Sequence, residues 1–169
     1  MANPAIDGLR DTHGRFDRAA VRSILPYGED FLFVDEIGKL TEERVEASYT
    51  IPTGSAFLRA HFEGLPLMPG VLIGEGMAQA GTVMVRYNLD HHEEKDLLAF
   101  QIEGARFPGP AQPGDRLDYQ VRLLKLRSRV ARLEGEALVG ERQVCKARIV
   151  LGIIDRNDLR SELEALKRP

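Results

Sequence analysis

The chain has 169 residues, of which 43% are hydrophobic and 29% are charged, with a formal net charge of −3 and a single cysteine. This length accommodates one domain with a real core rather than two ordinary ones, and a slightly acidic chain has no general attraction to nucleic acid. One cysteine excludes an internal disulfide. The first residues lack the basic flank and apolar core of a secretory signal, so we expect a cytoplasmic protein that does not insert into membranes.

The first part of the chain predicts a short helix followed by strands. Residues 1 to 15 are mixed and polar, so we expect a loosely ordered segment there. A helix is predicted from Asp17, its N-cap, to Leu25, where the following proline ends it. Residues 25–35, which we call the leading segment, run into a first strand. From Arg44 to Ile51 apolar and polar side chains alternate, which indicates a strand with one buried face.

The most informative stretch runs from His61 to Ala80 and passes from an irregular segment into an apolar helix. Pro66 and Pro69 end whatever precedes them, and a proline is tolerated just before a first helical turn. From Gly70 to about Tyr87 nearly every residue is apolar or small. A helix at the surface would have a polar half, so this one is predicted to be surrounded by other structure.

Four polar side chains share one line along this helix: Glu75, Gln79, Thr82 and Arg86. One interpretation is a helix edge that reaches solvent or a subunit interface. The other is a carboxyl group held in an apolar wall, where desolvation raises its pKa and suits it to proton transfer. His61 favours the second interpretation, because it supplies another proton-transfer group before the helix. The N–H groups of Gly70 and Val71 have no partner within the helix and can receive a developing oxyanion.

The charged connection at residues 88–96 includes His91 and His92. Adjacent histidines beside carboxylates can indicate a metal, but neighbours in sequence seldom face one ion, and no spaced third ligand is evident. We therefore predict a solvated loop and no metal site.

The second half of the chain predicts four strands and a terminal helix. The strands cover about residues 98–107, 116–126, 130–139 and 143–153, with turn signals between them, which favours an antiparallel meander. A helix is predicted at residues 157–168 from the spacing of its leucines. Six strands and one apolar helix indicate a single α+β domain over residues 1–169, with a curved antiparallel sheet wrapped around the helix. That architecture is the hotdog fold.

The segment His61-Phe62-x-Gly64-x-Pro66-x-x-Pro69-Gly70-Val71-Leu72, followed by Glu75 and Ala78-Gln79-Ala80, closely resembles the 3-hydroxyacyl-acyl-carrier-protein dehydratases of the hotdog fold. The fourteen-residue interval from His61 to Glu75 matches the family's catalytic pair. A sibling family that also isomerises its product has an aspartate on the helix, so Glu75 favours the plain dehydratase.

This resemblance implies a hydro-lyase that makes trans-2-enoyl thioesters in fatty acid synthesis and needs no cofactor. His61 would act as the base and Glu75 would donate a proton to the leaving hydroxyl or position water. The oxyanion and substrate site would include Gly70, Val71, Phe62 and Gln79. The family's active site lies at a homodimer interface, where the histidine of one subunit faces the glutamate of the other.

Two further expectations follow from the resemblance. The substrate would arrive on an acidic acyl carrier protein. A basic cluster is a candidate docking site for this carrier, and the alternative interpretation of the cluster is a solvated hairpin tip. The cluster comprises Arg122, Lys125, Arg127, Arg129 and Arg132. The leading segment is similar to the family's Leu-Pro-His-Arg-x-Pro-Phe-Leu-Leu-Val-Asp motif. It departs from that motif at Tyr27, Gly28 and Asp30, which changes the surroundings of the acyl tunnel.

Two other functions fit parts of the pattern. A thioesterase of the same fold uses a helix carboxylate to activate water, which explains Glu75 but has less use for His61. A non-catalytic acyl-binding subunit is the other alternative, and the complete set of His61, Gly70 and Glu75 argues against it.

Overall fold

The computed structural model describes residues 3–55, 58 and 60–166. Its main elements are four helices and six strands: α1 (Pro4–Asp7), α2 (Arg18–Ile24), β1 (Glu36–Leu40), β2 (Arg44–Thr50), α3 (Gly70–Tyr87), β3 (Lys95–Arg106), β4 (Arg116–Arg127), β5 (Val130–Val139), β6 (Arg142–Asp155) and α4 (Arg156–Leu166). Short 3₁₀ turns cover Glu29–Phe31 and His92–Glu94. The predicted α+β class is confirmed. None of the described helices is both long and apolar enough to cross a membrane.

The six strands form one antiparallel sheet in the order β1-β2-β4-β5-β6-β3. The predicted meander is therefore correct for β4, β5 and β6 but wrong for β3, which pairs with β6 at the far edge. The connection at residues 107–115 contains three prolines and is too long for a tight hairpin. It crosses the start of α3 instead, where the carbonyl of Ala111 accepts from the Met68 amide at 2.8 Å.

Helix α3 lies in the curve of the sheet and packs against β2, β4, β5 and β6. Every residue from Gly76 to Tyr87 is buried, as its apolar composition predicts. The helix approaches the sheet closely because it has glycines on the facing side. A Cβ atom at Gly76 would lie 2.2 Å from the hydroxyl of Tyr119, and one at Gly81 would lie 2.4 Å from a methyl group of Leu133. A larger residue at either position would push the helix off the sheet.

The N-terminal segment is packed, so the expectation of a loosely ordered segment is wrong for residues 3–15. Ile6 in this segment and Phe16 directly after the segment are completely buried. These two residues are too far apart in the sequence to create a periodic pattern. The hydroxyl of Tyr87, at the end of α3, donates to the Asp7 carboxylate at 3.0 Å. The guanidinium of Arg10 lies 4.6 Å from the ring centroid of Phe16. Met1 and Ala2 lie outside the described residues.

Helix α4 begins directly after β6 and has no buried residue. Its first residue, Arg156, donates to the Asp96 carboxylate at 3.0 Å and so ties the helix to β3. Leu163 and Leu166 are exposed. Residues 167 and 168 of the predicted helix lie outside the described part of the chain.

Candidate active site

Glu75 occupies the second turn of α3, where its carboxyl group is half-buried. Burial is the largest influence and raises the pKa of Glu75 above the ordinary carboxyl value, while hydrogen bonds from Gln79 and Tyr27 act in the opposite direction. The Gln79 amide donates to Oε1 of Glu75 at 3.1 Å. A carboxyl group in this environment holds its proton more tightly than an exposed one, which suits it to proton transfer.

Gln79 lies one turn further along α3 and is completely buried. Its Nε2 group also donates to the Phe31 carbonyl at 2.8 Å, and its Oε1 atom accepts from the Phe33 amide at 2.8 Å. These two main-chain partners fix which way the amide points. Gln79 was predicted to contact the substrate, but in this arrangement its hydrogen bonds are used within the chain and it holds Glu75 in place.

Arg86, the last of the four polar residues along α3, contacts the main chain of the segment that follows the helix. It is buried and donates to the carbonyls of His92 and Lys95 at 2.6 and 2.9 Å. Burial is the largest cause that lowers the pKa of this guanidinium. The line of polar residues on α3 therefore has two parts. Glu75 and Gln79 form the candidate site, and Arg86 holds the loop that follows the helix.

That loop brings His91, Glu93 and Glu94 together at the surface. Their ligand atoms lie within 4.8 Å of one another and all three residues are exposed, in agreement with the solvated loop that the sequence predicts. Burial lowers the pKa of the neighbouring His92. Among the hydrogen bonds and ion pairs of the described residues, none joins this loop to the carboxyl group of Glu75.

His61 lies in the irregular segment before α3, where residues 61–67 fold back on themselves. The Leu67 amide donates to the His61 carbonyl at 2.8 Å, and the ring Nδ1 of His61 lies 3.1 Å from the Leu67 carbonyl oxygen. Because a carbonyl oxygen can only accept, this contact assigns a proton to Nδ1 and leaves Nε2 as the ring nitrogen that this carbonyl does not use. The ring stacks on Phe62 with the centroids 4.2 Å apart. The Leu67 carbonyl and the Phe62 ring therefore fix the orientation of the His61 ring.

The start of α3 offers two N–H groups without an acceptor. In the described part of the chain, the amides of Gly70 and Val71 make no hydrogen bond, and Pro69 provides no side-chain cap. The ring of Phe107 covers Gly70 so closely that a Cβ atom there would lie 2.7 Å from it. Val71 is 68% exposed and Phe62 is 56% exposed. An oxyanion can therefore approach these amides beside exposed apolar side chains.

Within one chain, the described residues include no hydrogen bond or ion pair between His61 and Glu75. The structure places the two groups on consecutive elements, one before the helix and one inside it. Each has a partner that fixes its orientation, and neither uses the other.

Tyr27 is the site residue that the sequence did not identify. It appeared there only as a departure from the family's motif. In the structure its ring packs against Phe31 with the centroids 5.9 Å apart, and the carbonyl of Phe31 accepts from Gln79. Burial is the main cause that raises the pKa of Tyr27 to about 12, and the nearby Glu75 adds to it. The one available signal was its place in the leading segment, which resembles a family motif close to the active site.

The comparisons with known proteins agree with this geometry. A family model described as a FabA-like domain matches residues 25–148. The curated relatives include "3-hydroxyacyl-[acyl-carrier-protein] dehydratase FabZ" of Wolinella succinogenes, 35% identical over 147 residues that cover 83% of this chain and 97% of the relative. The protein of the same name from Petrotoga mobilis is 37% identical over 134 residues, covering 79% of this chain and 94% of the relative.

Solved structures support the fold. The dehydratase heterocomplex ApeI:P from Xenorhabdus doucetiae superimposes with a TM-score of 0.71 at 18% identity and covers 88% of this chain and 97% of its own. A mutant of the fluoroacetyl-CoA-specific thioesterase FlK gives a TM-score of 0.65 at 13% identity, over 74% of this chain and 95% of its own. At these identities the likeness concerns the hotdog fold alone, which was predicted and is confirmed.

Proposed function

Because the chain belongs to the FabZ family of 3-hydroxyacyl-[acyl-carrier-protein] dehydratases, we propose that it removes water from 3-hydroxyacyl thioesters to give trans-2-enoyl thioesters in fatty acid synthesis. The observation that carries this proposal is the pair of proton-transfer groups at the start of α3. His61 has its Nδ1 atom against the Leu67 carbonyl, which leaves Nε2 for the substrate, and Glu75 has a pKa raised by burial. Elimination of water needs both a base and an acid.

The proposed reaction assigns one step to each group. Nε2 of His61 removes the proton from C2 of the thioester, and the electron pair of that C–H bond becomes the new C2–C3 double bond. The C3–O bond breaks as Glu75 gives its proton to the hydroxyl, which leaves as water. The amide of Gly70 stabilises charge on the thioester oxygen. A positioned acid or base contributes about 10²–10⁴ in rate and an oxyanion donor about 10²–10³.

We propose that the working unit is a homodimer in which His61 of one copy faces Glu75 of the other. Support comes from the sheet edge at β3, where the exposed fractions of Leu98, Phe100 and Ile102 are 40%, 61% and 52%. A long edge strand with apolar side chains is normally covered. Pairing of β3 with β3 of a second copy would cover these side chains and join two sheets.

We propose that an acyl carrier protein delivers the substrate. In the described part of the chain, Lys125, Arg127 and Arg129 make no ion pair, whereas the nearby Arg122 pairs with a glutamate. These three unpaired cations can attract an acidic carrier. They lie near the end of α3: the Leu123 amide donates to the Glu43 carbonyl at 2.8 Å, and Asn88, just after α3, donates to the carbonyl of the adjacent Glu42 at 2.9 Å. A carrier bound at this hairpin would therefore be remote from the helix start of the same chain.

We also propose a cytoplasmic location for the enzyme. Cys145 is the single cysteine of the sequence and lies buried in the core, where burial raises its pKa to about 11. The chain has no internal disulfide that would require an oxidising compartment.

The test of the function is incubation of the purified protein with a crotonyl thioester, with separate measurement of hydration and of free thiol. Hydration without thiol release is expected for wild type. His61→Ala should lose nearly all of this activity, because the base is removed. Thiol release without hydration would indicate the thioesterase, and the absence of both would indicate a non-catalytic subunit. A series of acyl lengths in the same assay gives the chain-length preference.

A further inference from the structure

The leading segment passes over α3 at the position of Gln79. The Phe31 carbonyl accepts from the Gln79 side chain at 2.8 Å, and the Phe33 amide donates to the same side chain at 2.8 Å. Gln79 in turn donates to the Glu75 carboxyl group at 3.1 Å. The position of this main chain therefore sets the direction of the Gln79 amide, and with it the hydrogen bond that Glu75 accepts.

The other side of the same segment is bound by Arg18 of α2. The Nε group of Arg18 donates to the Glu29 carboxylate at 2.7 Å, and its Nη1 group donates to the Asp35 carboxylate. Its Nη2 group donates to the main-chain carbonyls of Glu29 and Leu32 at 3.3 and 3.4 Å. One planar guanidinium thus binds both ends of residues 29–35, which the single ammonium group of a lysine would not do.

The far end of the segment is also fixed by the sheet. The Asp35 carboxylate accepts from the Thr50 amide at 2.7 Å, and the Asp35 amide donates to the Ser48 carbonyl at 2.7 Å. The side chain of Arg18 is 33% exposed, so water competes for its hydrogen bonds less than it does at a fully exposed ion pair. The two residues that bond to Gln79 therefore lie between points that Arg18 and β2 hold in place.

We propose that Arg18 is a positioning residue for Glu75: it holds the main chain of residues 31–33 against Gln79, so that the Gln79 amide stays directed at the carboxyl group. The inference rests on the proposed function for its effect on catalysis. Arg18 precedes residues 25–148, which the family model matches. The resembling family has an arginine within its motif where this chain has Gly28, whereas here the cation that binds the segment comes from α2.

The proposed reaction uses this arrangement when Glu75 gives up its proton. The carboxylate that forms accepts from Gln79, and a hydrogen bond to an ionised group is stronger than one to a neutral group. The bond therefore stabilises the transition state more than the bound substrate, which increases kcat. Without Arg18 the segment can move away from α3, and the Gln79 amide is then free to turn from Glu75.

The test is Arg18→Gln in the full chain, with Arg22→Gln as the matched control. Arg22 lies one turn later on α2 and donates to the same Glu29 carboxylate at 3.3 Å. Among the hydrogen bonds of the described residues, none joins Arg22 to the main chain of the leading segment or to Asp35. The control therefore removes a cation from the same helix and the same glutamate without releasing residues 31–33.

Two measurements separate positioning from stability. In crotonyl thioester hydration, kcat of Arg18→Gln should fall about 10- to 100-fold while KM changes by less than about twofold. Hydrogen exchange of the Phe33 amide, followed by NMR without substrate, should be about tenfold faster, because its acceptor on Gln79 is no longer held in place. We expect neither change in Arg22→Gln. Thermal unfolding checks that both variants are folded.

If Arg18→Gln does not fold, Arg18→Lys takes its place, since it keeps the charge but not the bonds to both ends of the segment. Its kcat should fall about threefold or more. A folded Arg18 variant with the kcat of Arg22→Gln would overturn the positioning role, whether or not the Phe33 amide exchanges faster. Wild-type protein without hydration activity would instead overturn the proposed function, and the exchange of the Phe33 amide would still show whether Arg18 holds the segment against Gln79.

Discussion

The carboxyl group of Glu75 makes the stability of the protein depend on pH in a direction opposite to that of an ordinary paired acid. Its pKa is raised by burial, so the folded state holds the proton more tightly than the unfolded state does. This contribution favours folding below the ordinary carboxyl pKa. It is lost as the pH rises from that value through the raised pKa of the folded protein.

We therefore expect Glu75→Gln to be more stable than wild type at neutral pH and no more stable at acid pH. A glutamine at this position can still accept from Gln79, so no buried donor is left without a partner. Urea midpoints at several pH values measure this difference, and turnover of the variant should fall about 10²–10⁴-fold. Glu141→Gln, in an exposed turn, is the control. If wild type became more stable relative to Glu75→Gln as the pH rises, that result would contradict the raised pKa of Glu75.

Among the secondary-structure elements, α3 depends on close contact with the sheet. Gly76→Ala would place a methyl group 2.2 Å from the hydroxyl and 2.6 Å from the ring carbon Cζ of Tyr119, both in the core. We expect a loss of about 1–3 kcal/mol in the free energy of unfolding, because overpacking forces the helix or the ring to move. Chemical denaturation measures this loss.

Gly38→Ala is the control for that substitution. Gly38 is an exposed residue of β1, where the nearest heavy atom to an added Cβ is 4.0 Å away. We expect its effect to lie within about 0.5 kcal/mol of zero. If Gly76→Ala and Gly38→Ala changed the free energy of unfolding equally, the contact between α3 and Tyr119 would be looser than in the structure.

For the assembled protein, the proposed dimer predicts that two inactive variants regain activity when their subunits are mixed. His61→Ala and Glu75→Gln lack different halves of the site. If the halves come from different copies, a dimer with one copy of each variant has one complete site. Random exchange of equal amounts should recover about one quarter of the wild-type sites. Crotonyl thioester hydration before and after exchange of subunits measures this recovery.

The control for complementation uses the β3 edge. Ile102→Lys in both variants places a charge on the exposed apolar strand, so it should abolish dimers and the recovered activity together. Leu124→Lys, at a residue of β4 that is 45% exposed, should leave both unchanged. If mixing restores no activity while dimers persist, the two groups do not come from different copies.

The sequence by itself determined the features that arise from local pattern. Alternation predicts β2, the apolar run predicts α3, and the residues around His61 and Glu75 indicate the family. Side chains within one element repeat with that element's period, so a single sequence contains enough information to place them.

Only the tertiary structure decided which distant segments meet. Ile6 and Phe16 are buried against the core although the pattern around them is polar. Gln79 donates to the Phe31 carbonyl 48 positions away, and β3 pairs with β6 rather than with its neighbour in sequence. Such contacts depend on where the chain crosses over the helix. Loop closure over long separations leaves no periodic trace in the sequence.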